Sequence, residues 1–351
     1  MTLVTLAADL GVSRATVSNA YNRPDQLSPA LRAKILARAT ELGFAGPDPL
    51  ARGLLRGRVG AVGVLVDQSL SYAFSDPATV LFLDGLAREL QSDGIGLLLH
   101  AGQAGREELE NVRDASVDAW VVQSLSDDHP SIAAAQARNR PMIVLDQPRL
   151  PGVAFIGVDD RAGGRLALEH LLGLGHTRLG LVSMPLRPDG THGPAGPARQ
   201  KAVTYQVMRH RLAGAREAVE AAGLRWNDVA VVECASNDVD AGVWATDQLM
   251  AVDDPPTAVF ALSDQLALGA LQFAKAAMFT VPDDLSVIGF DDSPLSQTSD
   301  PPLTTVAQPL LERGQAAGVL VRALLRGETP DAPPIFPVHL VVRSSTGPAR
   351  Q

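Results

Sequence analysis

The pattern of apolar residues along the chain changes near residue 59, and this change constrains the fold more than any other feature. Before that point the sequence has the pattern of short helices joined by tight turns, and beyond it short apolar runs alternate with helical stretches. Such alternation predicts parallel sheets covered by helices on both faces. We predict strands at Val59–Val66, Gly96–Leu99, Ala119–Val122, Met142–Leu145, Val153–Ile156, Leu179–Val182, Val229–Val232, Ala258–Leu262 and Leu285–Phe290.

The first part of the chain has the signals of a helix-turn-helix. Three helices are predicted, each preceded by a hydroxyl side chain that can cap it: Leu3–Leu10 after Thr2, Arg14–Tyr21 after Ser13, and a third that starts at Pro29 after Ser28. Gly11 suits the turn between the first two helices, and Gly43 ends the third. Two short helices joined by a glycine-containing turn and braced by a third form the pattern of this DNA-binding motif.

Charge divides along the same boundary. Eight basic and four acidic residues through Arg58 give the head a net charge of +4. Because the whole chain has a net charge of −9, the remainder has a net charge of −13. This asymmetry favours a small polyanion-binding head on an acidic body. The single cysteine, Cys234, excludes an internal disulfide and a cysteine-based metal cluster. The sequence shows neither a secretory signal nor a membrane span, so we expect a cytoplasmic protein with no membrane partner.

The head resembles one protein family. The segment TLVTLAADLGVSRATVSNAYNRPDQLSPALRAKILARATELGF is similar to the DNA-binding head of the lactose-repressor (LacI/GalR) family, and the resemblance continues through nearly the whole chain. It implies a transcriptional regulator that binds double-stranded operator DNA as a homodimer at the nucleoid, under the control of a small-molecule effector. The implied fold is an all-α head and hinge helix, then a periplasmic-binding-protein-like body of two doubly wound parallel α/β lobes.

The second helix is expected to enter the major groove with its N-terminal residues nearest the bases. Arg14 can pair with a guanine edge through both arms of its guanidinium, and Ala15 is small enough to lie against a thymine methyl. A solvated helix start is the alternative role for Arg14. The predicted DNA contacts in the head are Thr2, Ser13, Arg14, Ala15, Thr16, Ser18, Asn19, Tyr21 and Asn22.

Residues 47–58 resemble the family's hinge helix. Asp48 can cap it and Pro49 suits its first position. The resemblance implies that paired hinge helices lie in the minor groove, where Leu54 from each chain wedges between base pairs. The alternative is a flexible linker with one apolar contact. Hinge residues predicted to contact DNA are Leu50, Ala51, Arg52 and Leu54.

The body contains polar residues that follow predicted strands, the place where open α/β sheets bind ligands. Carboxylates and an arginine that converge on a cleft suit neighbouring hydroxyl groups. The resemblance implies a sugar or related polyol as the effector class, because members of the family mostly sense carbohydrates, and purines or nucleosides are the alternative. Helix capping is the alternative for Asp264. By resemblance and position the predicted effector contacts are Asp67, Tyr72, Phe74, Asp146, Arg211, Ser263, Asp264, Asp291 and Gln308.

Two other motifs in the body do not indicate catalysis or metal binding. Asp159–Gly164 lacks the spacing of a phosphate loop, so we expect its glycines to let a helix pack close to its strand, with Asp160 as the cap. His170 and His176 are six residues apart, which does not place them on one helical face as a metal pair. No serine elbow or zinc motif is present, so neither an enzyme nor a cofactor or metal is expected.

The sequence therefore predicts a head over residues 1–46, a hinge over 47–58 and an effector-binding and dimerisation domain over 59–351. The first lobe is expected over about 59–157 and 292–323, and the second over about 158–291 and 324–345. The chain ends without a heptad repeat, so the tetramerising helix of some family members is not expected. The rival functions are a cytoplasmic small-ligand-binding protein and an α/β hydrolase-type enzyme, either with a degenerate DNA-binding head.

Overall fold

The computed structural model describes residues 1–46, 58–67, 69–102, 105–329 and 335–350. Two compact units, Met1–Gly60 and Ala61–Gln351, divide the chain close to the predicted boundary. The predicted hinge, apart from Arg58, lies outside the described residues. Within the described ranges, no helix combines the length and apolarity needed to cross a bilayer.

The head contains the three predicted helices. Their bounds are Leu3–Leu10 (α1), Arg14–Asn22 (α2) and Pro29–Glu41 (α3). Thr2, Ser13 and Ser28 each accept a hydrogen bond from a backbone N–H of the first turn, as predicted for capping residues. Leu6, Val17 and Ile35, one from each helix, are fully buried together, so the head has its own apolar core.

The first lobe of the body is built on a six-stranded, all-parallel sheet in the order β12-β5-β4-β3-β1-β2. Valine, isoleucine and leucine side chains on both faces of the inner strands are buried, as expected for a sheet covered by helices. Its strands are Ala61–Val66 (β1), Gly96–Ala101 (β2), Ala119–Gln123 (β3), Met142–Leu145 (β4), Ala154–Val158 (β5) and Ile335–Phe336 (β12). Its helices are Leu70–Ser75 (α4), Pro77–Gln91 (α5), Arg106–Asp114 (α6), Pro130–Gln136 (α7) and Leu310–Leu325 (α14).

The second lobe has a seven-stranded sheet in the order β13-β11-β10-β9-β6-β8-β7, with antiparallel strands at both edges. Its strands are Leu179–Ser183 (β6), Gly193–Pro194 (β7), Ala230–Glu233 (β8), Ala258–Ala261 (β9), Ser286–Asp291 (β10), Thr304–Ala307 (β11) and His339–Val341 (β13). Its helices are Asp160–Gly173 (α8), Pro197–Lys201 (α9), Gln206–Ala221 (α10), Val239–Met250 (α11), Asp264–Ala276 (α12) and Pro294–Thr298 (α13). All nine predicted strands are confirmed within two residues.

The predicted lobe boundaries were wrong in the last quarter of the chain. β11, assigned to the first lobe, pairs with β10 in the second sheet, where Ile288 is opposite Thr304. β12, assigned to the second lobe, pairs with β5 in the first sheet. The chain therefore passes between lobes after β5, after β11 and between β12 and β13. β11 has only four residues and β12 only two, so their own apolar patterns are too brief to indicate which sheet they join.

Helices α8 and α10 of the second lobe pack closely because glycines replace side chains where they touch. A Cβ on Gly164 would lie 2.1 Å from the carbonyl oxygen of Arg211, and one on Gly214 would lie 1.8 Å from that of Arg161. Gly163 lies against Phe290 of β10, so close packing on a strand is confirmed, and Gly164 adds the contact with α10. The predicted cap was wrong. Asp159 accepts the hydrogen bond from the N–H of Ala162, at 2.9 Å.

Candidate functional site

A cavity in the body lies where the strands of both sheets end. It has about 900 Å³ of atom-free space, part of which is open to solvent. Such a position, at the carboxyl ends of parallel strands, is where open α/β sheets bind ligands. Its polar lining comprises Asp67, Tyr72, Asp76, Thr79, Gln123, Ser124, Asp146, Gln147, Tyr205, Arg211, Asn237, Asp291, Gln308 and Arg313.

Arg211, on α10, is fixed in the wall of the cavity by the second lobe. Its Nε donates to Asp160 Oδ1 at 2.9 Å and its Nη1 donates to the carbonyl oxygen of Leu262 at 2.5 Å. The guanidinium lies 3.5 Å from the centroid of the Phe290 ring, and Nη1 is 4.0 Å from Asp291 Oδ1. Because Arg211 is only 4% exposed, its position is set before any ligand arrives.

A second arginine organises the opposite wall. Arg313 forms an ion pair with Asp146 and donates to Gln308 Oε1. Gln308 in turn donates to Asp291 Oδ1 at 2.6 Å, and Ser124 donates to Asp146 Oδ2 at 3.1 Å. A continuous chain of hydrogen bonds thus joins carboxylates at the ends of β4 and β10, one from each lobe.

Further hydrogen bonds cross the cavity from lobe to lobe. The backbone N–H of Val207 donates to Gln147 Oε1 at 2.8 Å. Asn237 Nδ2 donates to the Tyr72 hydroxyl at 2.8 Å. Tyr205 is hydrogen-bonded to Asp67, and burial together with that carboxylate raises the pKa of Tyr205. The two lobes are in contact at the walls of this cavity.

Buried carboxyl groups give the cavity unusual electrostatics. Burial raises the pKa of Asp291 well above its ordinary value, and the nearby carboxylates of Asp264 and Asp76 raise it further, while Arg211 lowers it. Burial also raises the pKa of Asp76. Groups whose pKa values depart strongly from the ordinary range in a cleft are typical of functional sites.

The backbone is strained where the strands enter the cavity. Ser124, Asp146 and Asp291 follow or end β3, β4 and β10 with φ values of 59°, 65° and 125°. Non-glycine residues in this region of φ are costly and cluster at ligand sites. Among the described residues, Gln123 Oε1 and Arg313 Nε are buried without a hydrogen-bond partner. The lining therefore retains unused hydrogen-bonding capacity.

Six of the nine predicted effector residues line this cavity, and three do not. Those that line it are Asp67, Tyr72, Asp146, Arg211, Asp291 and Gln308. Phe74 is 68% exposed and lies outside it. Ser263 caps α12 and donates to Asn237 Oδ1 at 2.5 Å, while Asp264 accepts from Thr305 Oγ1 at 2.6 Å and from the N–H of Ser293 at 2.7 Å. Ser263 and Asp264 therefore hold neighbouring residues in place without lining the cavity themselves.

Sequence reasoning missed several lining residues. Gln123, Ser124 and Gln147 are at the ends of predicted strands, so the rule that selected Asp146 applies to them equally. Arg313 gave no such signal, because it lies inside a helix and reaches the cavity by packing. No cluster of three His, Cys, Asp or Glu side chains in the described part of the chain is arranged to hold a metal ion.

The head presents a second candidate surface at the start of α2. Ser13, Arg14 and Ala15 are exposed there side by side. Thr16 shares a hydrogen bond with Ser13 at 2.8 Å, and Thr2, also exposed, caps α1. An exposed basic helix start with small neighbours can approach the edges of bases.

The remaining predicted contacts of α2 are partly engaged within the head. Asn19 Nδ2 donates to Gln26 Oε1 at 3.1 Å, and Asn22 Nδ2 donates to Ser18 Oγ at 3.2 Å. Tyr21 packs its ring edgewise on Phe44, with centroids 6.1 Å apart, so part of its role is in the core. The predicted hinge contacts Leu50, Ala51, Arg52 and Leu54 lie outside the described residues.

Known proteins match this chain over most of its length. A family model described as a periplasmic binding protein-like domain matches residues 168–346. An HTH-type transcriptional regulator of Mycolicibacterium smegmatis is 42% identical over 329 residues, which cover 91% of this chain and 89% of that protein. CelR of Thermobifida fusca, another HTH-type transcriptional regulator, is 31% identical over 98% of both chains.

Two solved structures of transcriptional regulators are also similar to this chain over nearly its whole length. A complex of CelR with cellobiose is similar with a TM-score of 0.70 and 28% identity, over 98% of both chains. The Lac repressor dimer bound to operator and the anti-inducer ONPF is similar with a TM-score of 0.79 and 26% identity, over 99% of both chains. The chain is a DNA-binding transcriptional regulator rather than an enzyme, and it belongs to the LacI family.

Proposed function

We propose that the chain is a homodimeric repressor that binds a palindromic operator and changes its DNA affinity when a sugar or related polyol occupies the cavity of the body. One observation carries the effector part of this proposal: polar side chains from both lobes converge on one cavity, where Gln308 links the network of Asp146 to Asp291. The known complexes of CelR with cellobiose and of the Lac repressor with ONPF support the effector class.

Asp67, Tyr72, Asp146, Arg211, Asp291 and Gln308 are the proposed effector contacts. Carboxylates accept hydrogen bonds from hydroxyl groups, and the guanidinium of Arg211 donates to them. Neighbouring hydroxyls on a sugar ring match such paired groups. Ser263 and Asp264 are proposed to hold the lining in place without touching the effector, and Phe74 is left without a proposed contact.

The DNA part of the proposal rests on the exposed start of α2. Arg14 and Ala15 are proposed to contact base edges, while Thr2, Ser13, Thr16, Ser18, Asn19, Tyr21 and Asn22 position the helix on base edges and backbone. Leu50, Ala51, Arg52 and Leu54 are proposed to form the minor-groove hinge. Because one head spans only a short half-site, two chains are needed to read a palindrome. Action on an operator places the protein at the nucleoid.

The proposed switch is a change in the relative orientation of the lobes. Val207 with Gln147, and Asn237 with Tyr72, already join the lobes across the cavity. An effector that bonds to both walls competes with these contacts and favours a different lobe arrangement, which alters how the paired hinges meet DNA. The effector must bind the two arrangements with different affinity for any response to occur.

Replacement of Asp146 tests this site. Asp146→Asn removes the charge that pairs with Arg313 and weakens the bond of a ligand hydroxyl to this position. We therefore expect at least a tenfold loss of affinity, measured by calorimetry, for whichever sugar in a panel changes the affinity for operator DNA. Asp114→Asn, at an exposed position at the end of α6, is the matched control and should bind normally. Equal sugar affinity in both variants and in wild type would remove Asp146 from the site.

A further inference from the structure

A second cavity lies beside the proposed effector cavity and shares part of its lining. The second cavity has about 1280 Å³ of atom-free space, including its opening to solvent. The two cavities share Asp67, Pro185 and Tyr205 in their linings. We call the first the inner cavity and the second the outer cavity.

One wall of the outer cavity is a loop with its own anchoring network. Residues 184–196 include Pro185, Arg187, Pro188 and Gly190, all of which line the outer cavity. Such glycine- and proline-rich loops are usually mobile surface segments. This one is held to the second sheet instead.

The anchor is Glu233, at the end of β8, which is 1% exposed. Its carboxylate accepts from the backbone N–H of Leu186 at 2.7 Å and from Arg199 Nε and Nη2, each at 2.7 Å. Arg199 also donates to Asp189 at 2.7 and 2.8 Å. A buried, fully used carboxylate fixes the loop at both ends, so the wall is preorganised.

The opposite wall belongs to the first lobe. Ser126, Asp128 and His129 line it, in the loop between β3 and α7. His129 is held by the backbone, because its Nδ1 accepts from the N–H of Ser131 at 3.2 Å. Beside it Arg209 Nη2, on α10, donates to Asp127 Oδ2 at 3.0 Å, which joins this wall to the second lobe.

The lining of the outer cavity combines flat apolar surfaces with polar groups of both signs. Pro130, Pro185, Pro188 and the Tyr205 ring offer apolar faces, while Asp128 and Arg187 bring opposite charges from the two lobes. An apolar face and mixed donors and acceptors suit the CH face and the hydroxyl groups of an uncharged sugar ring.

We propose that the outer cavity is a subsite for a second hydroxylated ring, so that the effector is a two-ring glycoside with one ring in each cavity. This inference rests on the proposed function, because it takes the inner cavity as the effector site. It adds that contacts of the second ring to Asp128 and Arg187, one from each lobe, contribute to affinity and to the lobe rearrangement.

Calorimetry with the full-length protein tests the subsite. Glucose, galactose and mannose are compared with cellobiose, maltose, lactose, melibiose and trehalose, and at least one disaccharide should bind about tenfold tighter than its component monosaccharides. Asp128→Trp and Pro188→Trp occlude the outer cavity from opposite walls, so both should reduce that disaccharide to the affinity of its monosaccharide and leave monosaccharide binding within twofold. Val252→Trp, at an exposed position outside both cavities, is the matched control.

The outcomes separate the two proposals. Monosaccharide binding without a gain for any disaccharide would overturn the outer subsite and leave the proposed function intact. A disaccharide preference that survives both occluding variants would also overturn it. If none of the sugars binds, the carbohydrate class proposed for the inner cavity is wrong, and the second-ring proposal falls with it.

Discussion

Asp264 shows how a residue can matter to the cavity without lining it. Its buried carboxylate receives hydrogen bonds from Thr305 and from the backbone N–H of Ser293, both of which follow β10 in sequence. These bonds join the start of α12 to β11 and to the segment that leaves β10, the strand that ends at Asp291. The position of Asp291 therefore depends on a carboxylate one layer behind it.

The pH dependence of stability reports on this carboxylate. Burial raises the pKa of Asp264 from 3.8 to about 6. A raised folded-state pKa means that the native state binds the proton more tightly than the unfolded chain, so its contribution is present below pH 4 and lost as the pH rises to about 6. Because a tenfold difference in proton affinity corresponds to ~1.4 kcal/mol, the free energy of unfolding should fall by about 3 kcal/mol from this group.

Chemical unfolding of wild type and Asp264→Asn between pH 4 and pH 7 checks this expectation. An asparagine can accept from Ser293 and donate to Thr305, so the variant should fold and should lose less stability than wild type as the pH rises. Asp240→Asn, at an exposed position in the first turn of α11, should follow wild type. Parallel pH profiles for wild type and Asp264→Asn would refute the assignment.

At the scale of elements, the positions of the strands were easier to predict than the roles of the polar residues that follow them. The inner strand β4 was placed to the residue and the other inner strands within two residues, because two-sided burial demands an unbroken apolar run. Strand ends then identified Asp146 and Asp291 as lining residues. The same rule failed for Ser263 and Asp264, because a polar residue after a strand can equally cap the next helix. Only tertiary packing decides between these roles.

The close contact of α8 with α10 gives a sharp element-scale prediction. Gly164→Ala places a methyl group 2.1 Å from the carbonyl oxygen of Arg211, and backbone cannot yield cheaply, so we expect a loss of ~3 kcal/mol or more in the free energy of unfolding. Gly173→Ala, in the last turn of the same helix, meets no atom within 4 Å and should be neutral or stabilising by up to ~1 kcal/mol. Denaturant titrations of both variants decide the matter. If Gly164→Ala loses less than about a third of the expected amount, the close contact is contradicted.

At the scale of the whole molecule, the sequence indicated two parallel-sheet lobes but not their correct partition. β11 and β12 lie in the opposite sheets from those predicted, because strands of four and two residues lack an apolar pattern of their own. The three passages of the chain between the lobes make each lobe's sheet depend on distant segments. They also place Arg313, which sequence reasoning missed, beside Asp146 across 167 positions of the chain.

The division of charge also belongs to this scale. A head of +4 on a body of −13 orients the molecule toward DNA through its head and keeps the body away from the phosphates. Phosphate attraction gives affinity without sequence information, so the base contacts proposed for α2 must supply specificity. We expect Arg14 to contribute most to this sequence specificity.

Selection of fragmented genomic DNA by the purified full-length protein tests the central claim most directly. Wild type should enrich a palindromic sequence, and Arg14→Ala should bind that sequence at least tenfold more weakly, since a paired arginine–guanine contact is worth ~1–3 kcal/mol in each half-site. Arg106→Ala, at a position 93% exposed in the body, is the control and should enrich the same palindrome. If wild type enriches no sequence at moderate salt, or if Arg14→Ala enriches the palindrome as well as wild type does, the account of the head as the operator-reading module is contradicted.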